Sequence, residues 1–570
     1  MELTGAQALI KSLEMCDVEV MFGLPGGAIL PIYDALHIAE SEGWVKHILV
    51  RHEQAGTHAA DAYARATGRV GVCFGTSGPG ATNLITGVAN AYMDSIPLLV
   101  ITGQVPSGLI GTDAFQETDI LGMTLGIVKH SYLVDDPEDL PGILEEAIDL
   151  AQAGRPGPVW IDIPKDILLS EIEAPAPACT EAPPADCPEI GPALAMLKSA
   201  RRPLLYSGGG VSLAGAEDRF RTFAEVSGLP GVVTLKGIGN AGRNNPNDLG
   251  MLGMHGSRAA NKAVDECDLL VVIGARLDDR ATGKLDGFAP NARMIHIDAD
   301  AAEINKLRPA DLSLRGDLNA ILAAMTDAIA AEPLAIDAWQ KQCRTWHTTG
   351  GFRAADNEEP LASITGPAFI RQLSGITGDN TIIACDVGQH QMWVAQYYQF
   401  AHPRHHLTSG GLGTMGFGLP AAIGAQFSDR TRTVINVTGD GSFMMNAQEL
   451  ATIRRYNLPL KLIILDNQCL GMVRQQQELF YNNRESQIDL DDNPDFVAMA
   501  RAFDIPALHI ERTDQIRRGI ETILAYNGPM LLHVAISREE NVWPIVKAGA
   551  SNKEMIDEPR KTNSRKEQVA

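Results

Sequence analysis

Short apolar runs, each ending in Gly or Pro, alternate with helix-patterned stretches through the first 165 residues: VEVMFGLPGG, HILVRHEQ, RVGVCFGTSGPG, PLLVITGQ and GPVWIDIPKD. Continuous apolar runs joined by helices predict parallel strands buried on both faces, hence a doubly wound sheet. The pattern stops at Glu171–Glu189, EIEAPAPACTEAPPADCPE, where Pro, Ala and acid predict an extended linker. It resumes at Arg202-Pro203 with PLLYSGGG, GVVTL, LLVVIGARLDD and MIHIDAD, and weakens across Glu332–Gly366. It returns in TIIACDVG, the Gly-rich SGGLGTMGFGLPAAIG, VINVTGDG, LPLKLIILDN and MLLHVAI. The expected architecture is α/β: three doubly wound parallel-sheet domains at 1–170, 190–335 and 367–550. Linkers fall at 171–189 and 336–366, and a charged tail at 551–570.

Val434–Met472 reads as strand, tight turn, amphipathic helical segment and strand. Asp440, in the turn Gly439-Asp440-Gly441-Ser442, and Asn467, after the second strand, are 27 positions apart. Both then lie at the carboxyl ends of neighbouring parallel strands, where open α/β sheets bind ligands. Two such oxygens suit Mg²⁺, which completes its shell with phosphate oxygens and water. Gly441 and Ser442 can offer backbone N–H groups to that phosphate. The alternative is an ordinary strand-to-helix turn followed by an unrelated Asn. An echo lies near the N-terminus in GVCFGTSGPGATNLITGVANAYMDSIPLLVITG, where Gly80 to Pro97 is 17 positions against 18 from Gly441 to Pro459. Either two unrelated units obeying the same rules or a pair of related domains would give this.

Length, charge and cysteine usage narrow the class. A chain of 570 residues exceeds one hydrophobic core. A net charge of −23 argues against a nucleic-acid partner, since phosphate backbones are bound by clustered Lys and Arg. No apolar run approaches the ~20 residues of a membrane span. The first residues enter a helical pattern (Ala8, Leu9, Leu13) without a signal peptide, so a cytoplasmic protein is expected. The eight cysteines include no Cys-x-x-Cys pair, so neither a zinc cage nor a disulfide framework is indicated. His52-Glu53 begins a metalloprotease pattern, but Gly56 stands where the second His is needed. Gly411–Gly416 satisfies G-x-G-x-x-G, yet His405–Gly410 does not read as a strand, so a dinucleotide site is rejected there.

Gly-Asp-Gly followed by about two dozen residues and Asn-Asn is the diphosphate and metal motif of thiamine diphosphate enzymes, and Gly439–Asn467 resembles it. One departure is that Asp466 replaces the first Asn. LPGG (24–27), SGPGATN (77–83), GTDAFQE (111–117), RPGPVWIDIPKD (155–166), GMLGMHG (250–256) and GARLDDR (274–280) follow in the same order as in one branch of that family. From residue 1 to about 550 the chain resembles the catalytic-subunit family of acetohydroxyacid (acetolactate) synthases.

The resemblance implies a pyrimidine-binding domain, a central FAD-binding domain and a diphosphate-binding domain. It makes Glu53 the carboxyl that activates the cofactor's aminopyrimidine. Thiamine diphosphate would be held by Val387, Gly388, Gln389, His390, Gly413, Gly439, Asp440, Gly441, Ser442, Asn467, Cys469, Leu470, Gly471 and Met472, with Met415 propping it in a bent form. Asp440, Asn467 and Cys469 would hold Mg²⁺. FAD would contact Arg155, Gly208, Gly209, Gly210, Met254, His255, Gly256, Gly274, Arg276, Asp278, Arg280, Asp298 and Asp317; of these segments GMLGMHG and GARLDDR resemble flavin-binding blocks that the flavin-free catabolic enzymes lack. That FAD does no net redox work. Gly27 would donate to a developing oxyanion, Gln116 lie near bound intermediates, Phe115 pack beside the substrate methyl, Lys165 stand at the entrance and Met472 flank the site.

The implied reaction decarboxylates pyruvate and ligates the two-carbon unit to pyruvate, giving 2-acetolactate, or to 2-ketobutyrate, giving 2-aceto-2-hydroxybutyrate. These compounds open the routes to valine, leucine and isoleucine. Gln476 stands where the family's Trp favours 2-ketobutyrate; one methylene in an apolar pocket is worth about 1–3 kcal/mol, so a weak preference is expected. Activator and metal come from different subunits in the family, which implies a homodimer, with tetramers and a small regulatory subunit as further options. Two alternatives remain: a flavin-dependent pyruvate oxidase, opposed by GTDAFQE and GARLDDR, and a non-catalytic scaffold, opposed by the presence of Glu53, Asp440 and Asn467. Glyoxylate carboligases lack the activating Glu.

Overall fold

The computed structural model describes residues 2–174, 186–243, 245–352 and 362–559. Most of the linker expected at 171–189, residues 353–361 of the second linker and the last eleven residues of the expected tail lie outside the described residues. The chain forms two compact units, Met1–Ala185 with Ala355–Glu540, and Asp186–Ala354 with Asn541–Ala570.

The first unit holds two six-stranded parallel sheets. One comprises β1 (Val20–Gly23), β2 (Lys46–Leu49), β3 (Gly71–Gly75), β4 (Leu98–Gln104), β5 (His130–Leu133) and β6 (Pro158–Pro164), in spatial order β2-β1-β3-β4-β6-β5. The second unit contributes β7 to β12, defined below. The other sheet of the first unit comprises β13 (Ile382–Cys385), β14 (His406–Leu407), β15 (Val434–Gly439), β16 (Lys461–Asp466), β17 (Ala507–Ile510) and β18 (Met530–Ala535), in order β14-β13-β15-β16-β18-β17. Counted from its own first strand, each sheet reads 2-1-3-4-6-5. The internal echo is therefore a shared topology, which two unrelated units would match only by coincidence.

Helices α1 (Glu53–Thr67), α2 (Pro79–Asp94) and α3 (Gly418–Ser428) carry one continuous core between the sheets; Ala59, Ala60, Val88, Ala421, Ile423 and Val434 are all members. α1 is Ala-rich and buried on nearly every side, as a helix enclosed by neighbours must be. At Gly424 a Cβ would stand 1.9 Å from the Ala59 carbonyl, so only glycine lets α3 come this close to α1.

The second unit holds β7 (Pro203–Ser207), β8 (Gly231–Val233), β9 (Asp248–Met251), β10 (Leu269–Ile273), β11 (Arg293–Ile297) and β12 (Leu312–Leu314). All pairs are parallel and the order β9-β8-β7-β10-β11-β12 is the 3-2-1-4-5-6 of dinucleotide-binding sheets. Apolar clusters cover both faces.

Three stretches differ from the sequence reading. Asp337–Gly350, inside the expected second linker, is a helix, anchored by a hydrogen bond from the buried Trp339 indole to Pro203 O (2.9 Å). Its only buried residues are Trp339 and Cys343, too few to produce a periodic apolar signal. Residues from Asn541 onward group with the second unit, where Ile545–Val546 pairs antiparallel with Met555–Ile556. The amphipathic segment after β15 is also divided, into Asp440–Met444, a 3₁₀ turn at Ala447–Glu449, and Leu450–Tyr456. Asn446 interrupts it with a non-helical backbone (φ −135°, ψ 23°), its side chain donating to Gly416 O (2.7 Å). Among the described residues no helix is long and apolar enough to cross a membrane.

Candidate active site

Parallel strands present their carboxyl ends to one edge of a sheet, and the residues singled out from the sequence fall on these edges. In the sheet of β13 to β18, four segments converge. Val387–His390 follows β13, Gly413–Met415 lies in the loop after β14, Gly439–Ser442 follows β15, and Asn467–Met472 follows β16. Ser442 Oγ donates to Val387 O (2.8 Å), Asn467 Nδ2 donates to Gln389 Oε1 (3.3 Å), and a Cβ on Gly441 would lie 3.7 Å from Met415 Cε. Gln389 also donates to Gln475 Oε1 (3.2 Å) and to Glu540 O (3.0 Å), so one amide ties the Asn467 turn to the helix Gly471–Phe480.

The electrostatics of this edge suit a cation and an anion together. Asp440 is buried beside Asp466; burial first, and then the second carboxylate, push its pKa well above the usual carboxylate range. Burial acts on Asp466 in the same direction and is the largest single influence, but the hydrogen bond and charge of His533 (2.9 Å) together with the Gln468 N–H (2.9 Å) hold Asp466 below its usual value. The departure from the family motif at 466 thus has its own partner. Asp440 Oδ2 accepts from Asn493 Nδ2 (2.9 Å), and Asn467 Oδ1 accepts from Cys469 N (3.3 Å). Burial drops the His390 imidazole to about 3, so the ring is neutral, and its Nε2 has no partner among the described residues. A crowded acid that a divalent cation would relieve, together with an orphaned buried ring nitrogen, fits a metal–diphosphate group.

On the sheet of β1 to β6, Gly27 follows β1, Glu53 opens α1 after β2, and Lys165 follows β6. Gly27 is exposed, with nothing within 4 Å of where a Cβ would stand, while neighbouring Ala28 N is held by Thr76 Oγ1 (3.3 Å). Glu53 is buried, and Asn83 Nδ2 donates to its Oε2 (2.9 Å). Among the described residues none of its side-chain hydrogen bonds reaches the Asp440 cluster of the same chain. Gln116 sits in the left-handed region (φ +63°) against Gly78, and Phe115 is 88% exposed. Lys165 is half-buried and has no ion pair among the described residues. Met472 and Gln476 lie four residues apart on Gly471–Phe480 and so share a face.

The second unit collects the remaining set at its own carboxyl edge. Gly208–Gly210 follows β7, Met254–Gly256 follows β9, Gly274–Arg280 follows β10, Asp298 follows β11 and Asp317 follows β12. A Cβ at Gly208 would lie 2.3 Å from Gly274 O and one at Gly210 2.6 Å from Gly274 Cα, so the two turns meet at backbone distance. They meet between β7 and β10, the point where the strand order reverses and dinucleotides bind. Asp278 and Asp317 also cap helices, accepting from Arg280 N (3.1 Å) and Ala320 N (2.7 Å). Arg155 belongs to the first unit, where its Nε donates to Ser95 Oγ (2.8 Å).

The sequence reading missed Asn83, Asn493 and His533, each the partner of a carboxylate in these sites, and the structural role of Asp386. Fully buried, Asp386 accepts from Val387 N (2.8 Å), Gly416 N (2.9 Å) and Gly418 N (2.9 Å), fixing the Gly-rich loop to the end of β13. An Asp at a strand's carboxyl end facing a Gly-rich loop was the available signal.

Comparison with known proteins agrees with this geometry. Models for the thiamine pyrophosphate enzymes match in three pieces: the N-terminal TPP-binding domain over residues 3–123, the central domain over 190–325 and the C-terminal TPP-binding domain over 386–534. The chain is 51% identical to the acetolactate synthase isozyme 2 large subunit of Escherichia coli (strain K12), over 97% of this chain and 100% of that one. It is 50% identical to the acetolactate synthase large subunit of Parasynechococcus marenigrum (strain WH8102), over 98% and 91%. Against the isozyme 1 large subunit of E. coli the identity is 44%, over 97% and 98%. The chain belongs to the acetolactate synthase large-subunit family of thiamine pyrophosphate enzymes.

Proposed function

We propose that the chain makes 2-acetolactate from two molecules of pyruvate, and 2-aceto-2-hydroxybutyrate when 2-ketobutyrate is the acceptor, at a site shared between two copies in the cytoplasm. The observation that carries this is the convergence of Asp440, Asn467, Gln389 and His390 on one sheet edge, with Glu53 placed at the corresponding edge of the sheet that shares its topology. Thiamine diphosphate, when bound, supplies the electron sink for decarboxylation. Asp440, Asn467 Oδ1 and the Cys469 carbonyl would hold Mg²⁺, while Gln389 keeps the Asn467 amide oriented. Gly441 and Ser442 would donate to the diphosphate, and Met415 would support the cofactor from below. With Oε2 occupied by Asn83, Oε1 is the Glu53 oxygen that would hydrogen-bond a ring nitrogen of a partner subunit's cofactor. Gly27 would donate to the oxyanion and Lys165 would steer the anionic ketoacid inward.

FAD would occupy the Gly208–Gly210 and Gly274 crevice of the second unit in a structural role. The uncovered Phe115 and the lack of a hydrogen bond between Glu53 and the Asp440 cluster among the described residues support a homodimer, and a small regulatory subunit is a further partner. The purified full chain is expected to form acetolactate only when thiamine diphosphate, Mg²⁺ and FAD are all present, without oxygen uptake. Full activity without FAD would remove the flavin assignment, and oxygen consumed with pyruvate would make the protein an oxidase.

Acceptor choice follows from Gln476. Its exposed amide offers less apolar area than an indole, which could reward the extra methylene by about 1–3 kcal/mol. With both ketoacids at equal concentration, acetohydroxybutyrate is expected to exceed acetolactate by less than about tenfold. A ratio near a hundred would sink this reading.

A further inference from the structure

α1 and α2 each carry a polar pair four residues apart in a buried, mostly apolar surface: Asp61 with Arg65, and Asn90 with Asp94. Arg65 reaches both acids, bonding Asp61 through Nε and Nη2 and Asp94 Oδ2 through Nη2 (2.9 Å). The side chains are 5% exposed at Arg65 and 0% at both aspartates. One guanidinium against two carboxylates leaves a negative charge inside the protein, which is costly unless further donors meet it.

Those donors come from the loop after β14. Gly410 N and Gly411 N donate to the two oxygens of Asp94 (3.0 and 2.7 Å), and Arg65 Nη1 donates in return to Thr408 O (3.2 Å). Asn90 Oδ1 accepts from Ser409 Oγ (2.6 Å) and Thr414 Oγ1 (3.2 Å), its Nδ2 is spent on Asp61 Oδ2 (3.0 Å), and Ser409 Oγ accepts from Thr414 N (2.8 Å). At Gly411 a Cβ would stand 2.9 Å from Met93 Cβ and 3.1 Å from Asp94 Oδ1, so a larger residue would push the loop off the acid.

We infer that Asp61, Arg65, Asn90 and Asp94 form a clamp that positions the loop 408–414, and through it Met415, for cofactor binding. The inference rests on the reading of Met415 as a cofactor contact. The charge balance makes the device selective: the loop amides complete the compensation of Asp94 only when residues 410 and 411 lie against α2. These are positioning residues, acting on the cofactor through the loop.

The test uses the full chain with Asp94→Asn, Ser409→Ala and Ser409→Thr. Thiamine diphosphate is titrated with Mg²⁺, following quenching of intrinsic tryptophan fluorescence, and hydrogen–deuterium exchange is recorded on the cofactor-free protein. Asp94→Asn puts an amide donor opposite a loop N–H, and Ser409→Ala removes the bridging hydroxyl without touching the buried charges. Both are expected to weaken cofactor binding at least about tenfold and to speed exchange in residues 408–416 alone, with Ser409→Thr restoring wild-type behaviour. Unchanged affinity and unchanged loop exchange would overturn the clamp, as would faster exchange spread over the whole first unit. If the wild-type chain itself bound no thiamine diphosphate, the cofactor reading would fall, and the clamp's purpose with it.

Discussion

Asp440→Ala is expected to reduce acetolactate formation by at least about a thousandfold and to abolish binding of thiamine diphosphate, while the cofactor-free chain stays folded. The first effect follows from the donor set. A metal–phosphate clamp contributes several kcal/mol through charge that no neighbour can replace, since Asp466 is already committed to His533. The second follows from the environment of Asp440, which sits desolvated beside another carboxylate, so deleting it removes a repulsion. Against this stand the lost hydrogen bonds, chiefly the one from Asn493, each typically worth about 1 kcal/mol. Cofactor titration and circular dichroism of the variant check both halves. Retained activity would overturn the whole assignment of this edge, and an unfolded variant would show that Asp440 serves the fold.

Glu53→Gln separates activation from binding. The glutamine oxygen can still accept from Asn83, so the start of α1 should be undisturbed, but the proton that Oε1 would hold is gone. Acid–base contributions of this kind are worth roughly 10²–10⁴-fold. The variant is therefore expected to lose about two to three orders of magnitude in kcat, with affinity for thiamine diphosphate changed by no more than a few-fold. Steady-state kinetics with saturating cofactor reads the first and a binding titration the second. A kcat within threefold of wild type would remove Glu53 from the mechanism.

The sheets and the cofactor edges were legible because both are written locally. A parallel strand buried on two faces is a continuous apolar run, as in LLVVI or KLIILD, and the turn after it carries its chemistry within a few residues. The Gly-Asp-Gly turn, Glu53 after HILVR and the Gly-rich turns of the second unit were read in this way, and each stands at the carboxyl end of a strand. Long-range pairing was not legible. Nothing in the sequence joins Asp94 to Gly411, Asp440 to Asn493 or Asp466 to His533, because the residues meet only after crossovers have wound the sheets. The unit boundary near Glu540 was missed for a related reason: Ile545–Val546 pairs with Met555–Ile556, and strands of two residues are too short to show a period. Gln116 was named for its chemistry, but its left-handed backbone against Gly78 leaves no compositional trace.

The core shared by α1 and α3 has a consequence for how the protein is made. α1 leaves the ribosome about 350 residues before α3, with residues 186–354 of the second unit between them. At about 5–20 residues per second, its alanine-lined face waits roughly 20–70 s for the partner that covers it. The second unit, whose residues run unbroken from 186 to 354 apart from its C-terminal strands, can close first. The newborn chain therefore carries a nearly complete middle and an unfinished beginning, with the face of α1 that α3 covers left open until α3 is made.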